Sequence, residues 1–166
     1  MSLARAAAAL VLLVGLSCAR HDPATQLKVV EVETYWIVDS PRQDQNFIAP
    51  AVRFRLRNIG DVQLSSVQAR ARFPGTSEED PWGSIQEQVS YWRDPMPPGD
   101  ERLVTVRSVG RYQAATDPED MFRSPGFKDP RAEIFVRIGN SNWAKLAEAT
   151  VERRIGAPGV QDLVGP

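Results

Sequence analysis

Apolar and polar residues alternate with a period of two over much of the chain. From Ala51 to Asn58, Val52, Phe54 and Leu56 alternate with Arg53, Arg55 and Arg57. From Ser66 to Phe73, Val67, Ala69, Ala71 and Phe73 alternate with Gln68, Arg70 and Arg72. Arg131 to Ile138 places Ile134, Val136 and Ile138 on one face. Side chains of a strand point to opposite faces in turn, so each pattern predicts a strand with one buried and one wet face. Gln26–Val38, Ser84–Arg93, Arg102–Val109 and Trp143–Arg153 fit the alternation less cleanly. The last also tolerates a helix through Ala144, Leu146, Ala147, Ala149 and Val151; the alternation of Ala147, Ala149 and Val151 with Glu148, Thr150 and Glu152 favours a strand. Turn-forming residues fall between the runs: Asn58-Ile59-Gly60-Asp61, Pro74-Gly75, Pro95 to Asp100, and Gly139-Asn140-Ser141-Asn142. About seven one-faced strands with short turns predict an all-β, antiparallel β-sandwich, in which each sheet hides its apolar face against the other.

The N-terminus breaks this pattern. Arg5 leads an apolar run from Ala6 to Leu16, far short of the roughly 20 residues needed to cross a bilayer. A basic start, a short apolar core and small residues after it form a secretion signal. The chain's one cysteine, Cys18, follows at once in Val14-Gly15-Leu16-Ser17-Cys18. This stretch resembles the lipobox of bacterial lipoproteins, although Gly15 stands where leucine is more usual. The resemblance implies that Cys18 becomes the first mature residue and carries acyl chains. Residues 1–17 are then a lipoprotein signal peptide, 18–25 a lipidated tether containing Pro23, 26–155 the sandwich domain, and 156–166 a tail broken by Pro158, Gly159, Gly165 and Pro166. Each buried methylene contributes about 0.8 kcal/mol, so several acyl chains anchor where one is marginal. The implied location is the cell envelope, lipid-anchored and facing the periplasm. By the sorting rule of some Gram-negative bacteria, Ala19 directs it to the outer rather than the inner membrane.

Twenty basic and 21 acidic residues leave a formal charge of −1, so no global basic bias suggests nucleic acid. A single cysteine forms no intramolecular disulfide.

The run Ala51-Val52-Arg53-Phe54-Arg55-Leu56-Arg57-Asn58-Ile59-Gly60-Asp61, then Val67 to Phe73, then Pro97-Pro98-Gly99-Asp100 before a Val-rich strand, resembles bacterial Ig-like domains of the CARDB and FxLYD kind. The resemblance covers about half of the mature chain and omits Tyr112 to Pro130. It implies an Ig-like sandwich used for adhesion, scaffolding or partner binding, and it brings no catalytic residues.

Little in the sequence carries chemistry. His21, the sole histidine, lies in the tether, where a catalytic triad is not expected. Zinc sites of cysteine and histidine lack ligands, no Gly-rich phosphate loop occurs, and no cofactor or metal is expected. The acidic runs Glu78-Glu79-Asp80 and Glu119-Asp120 lack the spacing of a calcium loop. Asp117-Pro118-Glu119-Asp120 reads as the start of a short helix near 117–123, with Asp117 as cap and two acids facing the helix dipole.

Two groups of residues are candidate binding elements. Arg53, Arg55 and Arg57 form a basic strip, either a solvated face paired with acids such as Glu148 and Glu152, or a surface for anionic lipid or a polyanion. Met121, Phe122 and Phe127 lie in the long 112–130 connection and either staple it to the sandwich or form a contact patch, with Trp82, in a polar loop after Pro81, as the tryptophan most expected at the surface. Trp36, Trp92 and Trp143 are expected in or at the edge of the core. The expected function is a non-enzymatic envelope lipoprotein that binds or scaffolds a protein or other envelope component, with the membrane engaged through its lipid. The alternative is a hydrolase or sugar-active accessory domain using loop carboxylates.

Overall fold

A computed structural model of the chain describes residues 22–42, 45–75, 83–114 and 117–156. Cys18, His21, the acidic run at 78–80, Trp82 and residues 157–166 lie outside them. Eight strands run in the order β1 (Leu27–Arg42), β2 (Gln45–Asn58), β3 (Val67–Arg72), β4 (Glu87–Ser90), β5 (Glu101–Arg107), β6 (Tyr112–Ala114), β7 (Arg131–Ile138) and β8 (Ala144–Thr150). They form two antiparallel sheets, β1-β2-β5 with β6 also on β2, and β4-β3-β7-β8. Strands β2 and β3 are consecutive in the chain but belong to different sheets, as in Ig-like sandwiches. The core lies between the sheets, where Val52, Phe54, Leu56, Val104 and Val106 meet Val67, Ala69, Ala71, Ile134 and Val136.

Two bulges explain why β1 and β8 alternate poorly. In β1, Val30 pairs with Arg55 and Glu33 with Arg53, so Glu31 and Val32 together oppose Phe54. Glu31 takes the left-handed conformation at φ 53°, which accommodates the extra residue. The inward parity then changes: Leu27 and Val29 pack on the core before the bulge, Val32, Trp36 and Val38 after it. In β8, Ile134 pairs with Ala147 and Phe135 with Lys145, leaving Leu146 extra. Leu146 and its neighbour Ala147 therefore both pack on the core.

Strand β2 begins earlier than the alternation predicts and runs through Pro50. In an extended strand the amide nitrogen and carbonyl of one residue face the same side. The Pro50 carbonyl accepts from Ser108 N–H at 2.9 Å, so its missing donor faces the gap between β5 and β6. The predicted Ser84–Arg93 strand is reduced to β4, because the chain reverses between Tyr91 and Asp94, whose backbones bond in both directions. Trp92 sits on that reversal, 73% exposed, rather than in or at the edge of the core as expected. The segment read as a tether is already folded at its end: Asp22 caps a single turn, α1 (Pro23–Gln26), in which Pro23 is buried.

The two turn motifs behind the Ig-like resemblance bind each other. Asn58 is fully buried at the end of β2. Its side-chain amide donates to the Val62 and Met96 carbonyls, both at 2.9 Å, and its side-chain oxygen accepts from Gly60 N–H. Its backbone accepts from Gly99 N–H at 2.8 Å and donates to the Asp100 carbonyl at 2.9 Å. Gly99, at φ 81°, supplies the left-handed turn that aims its amide at Asn58.

Candidate functional site

The connection from β6 to β7 folds back on the sandwich edge and holds a cleft. Asp117 adopts an extended backbone and accepts from Glu119 N–H at 2.9 Å; Pro118 opens the turn, and a 3₁₀ helix, η1, covers Pro118–Arg123. The expected helix is present, in the tighter 3₁₀ form. A second turn, with Phe127 N–H donating to the Ser124 carbonyl at 3.0 Å, brings Phe127 back to the body.

Trp36 organises the segment from below. Its fully buried ring lies 5.2 Å from Phe127, 5.8 Å from Tyr112 and 5.9 Å from Phe122, centroid to centroid. Phe127 also meets Tyr112 at 5.6 Å and Phe122 at 5.4 Å. Such tilted pairs each add about 0.5–1.5 kcal/mol beyond the area they bury. Phe122 is thus a staple, while Met121 and Phe127 are half-buried. Burial also raises the Tyr112 hydroxyl above its ordinary pKa.

Arg153 fastens the segment from the other side. Its guanidinium donates to both Asp129 carboxylate oxygens, at 2.6 and 2.9 Å, and to the Phe122 carbonyl at 2.7 Å, and lies 5.5 Å from the Phe127 ring centre. The chain after β8 runs along β1, with Trp36 N–H donating to the Arg154 carbonyl and Gly156 N–H to the Trp36 carbonyl. The sequence reading singled out neither Trp36 nor Arg153 as part of this site, since both reach it across long stretches of chain.

Above the aromatic floor opens a cleft of about 460 Å³, lined by Tyr112, Gln113, Met121, Ser124 and Phe127, with Asp117 and Asp120 also at its wall. Asp120 pairs with Arg123 at 2.8 Å.

The basic strip is neutralised where it stands. Arg53 pairs with Glu33 at 2.6 Å, Arg55 with Glu31 at 2.6 Å, and Arg57 with Glu101, all across neighbouring strands of the same sheet. The partners are not Glu148, on β8 of the other sheet, and Glu152, just after it, which pair with Lys145 and Arg154. Arg53, Arg55 and Arg57 therefore present a mixed-charge face, each exposed pair contributing at most about 1 kcal/mol.

No protein-family model and no curated protein matches the sequence. Among solved structures the chain is similar to the X-ray structure of Northeast Structural Genomics Consortium target SoR45, at 11% identity over 84% of this chain and 92% of that one. The TM-score is 0.43, a likeness too distant to carry an argument about fold details or function.

Proposed function

We propose that the protein is a non-enzymatic, lipid-anchored envelope protein whose Ig-like sandwich binds a protein or other envelope component through the cleft beside η1. The observation that carries this reading is the construction of the cleft. A half-buried apolar wall of Met121 and Phe127 is held on a packed aromatic base and clamped by Arg153, so the surface is ordered before any partner arrives. Preorganisation of that kind lowers the entropy cost of association. An apolar floor inside a polar rim is the anatomy of small binding surfaces. Of the loop carboxylates a hydrolase would use, Asp117 caps η1 and Asp120 pairs with Arg123, while the run at 78–80 lies outside the described residues. The binding reading therefore ranks first.

The anchor is proposed from the Leu16-Ser17-Cys18 stretch. Cys18→Ser is expected to leave the protein uncleaved at this site, or released in soluble form if another peptidase cuts it. Detergent phase partition and fractionation of cells read the outcome; a variant that migrates and partitions like the wild type contradicts lipidation. The binding surface is tested by photo-cross-linking from the cleft rim at Ser124.

A further inference from the structure

The outer face of the β4-β3-β7-β8 sheet carries a charge imbalance that the cleft does not explain. Gln68 on β3 stands opposite Arg137 on β7, and Arg70 stands opposite Phe135, which makes Arg70 and Arg137 diagonal neighbours on one face. Trp143, just before β8, joins them: the Arg70 guanidinium carbon lies 4.3 Å from a Trp143 ring centre and that of Arg137 lies 4.8 Å from it. Among the described residues, neither arginine has a carboxylate within ion-pair distance. The other end of the face is balanced, with Lys145 between Glu133 and Glu148, and Arg72 at 4.0 Å from Glu133.

Further features hold this end in place. Gln88 accepts from Gln68, and Gln68 in turn accepts from Arg137 Nε, a chain of amides that fixes the Arg137 fork. Among the described residues, the buried Arg70 Nε has no hydrogen-bond acceptor, which costs free energy. Burial, then the charges of Arg137 and Arg72, also lowers the Arg70 pKa. Two like charges gathered on one aromatic ring repel each other, and cation–π attraction of about 0.5–2 kcal/mol per contact only partly offsets that. A guanidinium attracted to a ring face keeps in-plane N–H donors for another acceptor, and the planar fork suits carboxylate and phosphate oxygens.

We infer that Arg70, Arg137 and Trp143 form an oxyanion-binding site, which takes a phosphate, sulfate or carboxylate group between the two guanidiniums. The site is separate from the cleft beside η1 and does not depend on what the cleft binds. The arginine Nε–Hε NMR signals of the full chain in detergent report on it, titrated with sodium phosphate, glycerol phosphate, sulfate and acetate at an ionic strength held constant with sodium chloride. Saturable shifts of the Arg70 and Arg137 signals at low-millimolar anion are expected. The anion that saturates first identifies the group, and phosphate against glycerol phosphate separates a free ion from an esterified one. Arg70→Gln and Arg137→Gln should each weaken binding by about tenfold or more, consistent with loss of a charge-assisted bidentate contact. Trp143→Leu should also weaken it, and Arg55→Gln, whose arginine is already paired with Glu31, should not. Linear, unsaturating shifts, or equal affinities in all variants, would mean an adventitious ion only and overturn the site.

Discussion

Phe54→Ala and Leu56→Ala are each expected to lower unfolding free energy by about 2–5 kcal/mol, against roughly 0.5 kcal/mol for Arg55→Ala between them. Phe54 and Leu56 are both fully buried, on the inner face of the central strand of their sheet. Truncation there removes transfer energy and leaves a cavity that flanking β1 and β5 cannot close without breaking their ladders. Arg55 faces outward and loses only an exposed pair with Glu31. Denaturant unfolding should separate the three variants into two classes at similar m-values. Equal destabilisation by all three would contradict the inward and outward assignment of β2, and with it the sandwich.

Asn58→Ala is expected to cost about 2–4 kcal/mol, an unusually large effect for a polar residue. The side chain is fully buried and bonds to two carbonyls and one amide in two segments, the turn at Gly60 and Val62 and the one at Met96. Its removal takes the side-chain donor from the Val62 carbonyl and leaves the buried Met96 carbonyl with the Leu64 N–H alone, where a lost partner of a buried group costs about 1–3 kcal/mol. Asn58→Asp should be at least as harmful, because a carboxylate cannot donate to either carbonyl and would bury a charge. Thermal unfolding checks both. A midpoint within about a degree of wild type for Asn58→Ala would show that the turn is held by its backbone bonds alone.

The contrast between strands shows which parts of this fold are legible in a sequence. β3, β7 and the second half of β2 are read directly because each has one wet and one buried face there, whereas residues 48–52 of β2 are all buried and show no alternation. β1 and β8 are blurred by their bulges, since one extra residue at Glu31–Val32 or at Leu146 swaps the inward parity midway. Short β4 is overestimated because Trp92 and Arg93 look like strand residues but form a reversal.

The candidate site divides the same way. The Asp117-Pro118 cap is a local pattern and is visible in the sequence, as is the apolar content at Met121, Phe122 and Phe127. Arg153 bonded to the Phe122 carbonyl and Trp36 beneath Phe127 are set by the packing of distant segments, on which local spacing is silent. The acids that pair with the basic strip were not legible for a related reason. Alternation gives the face on which Arg53, Arg55 and Arg57 lie, but only the register of neighbouring strands shows that Glu31, Glu33 and Glu101 meet them.

The most direct test of a binding role for the cleft is photo-cross-linking in cells from a benzophenone side chain placed at Ser124, an exposed rim position. A benzophenone at Leu103, exposed on β5 and away from the cleft lining, serves as the control. The account predicts a discrete adduct from Ser124 that is absent from Leu103. It also predicts that the adduct is lost when Met121→Glu places a charge on the apolar wall, with the thermal midpoint of the protein little changed. The same adduct from both positions, or one that survives Met121→Glu, would contradict the cleft as the binding element.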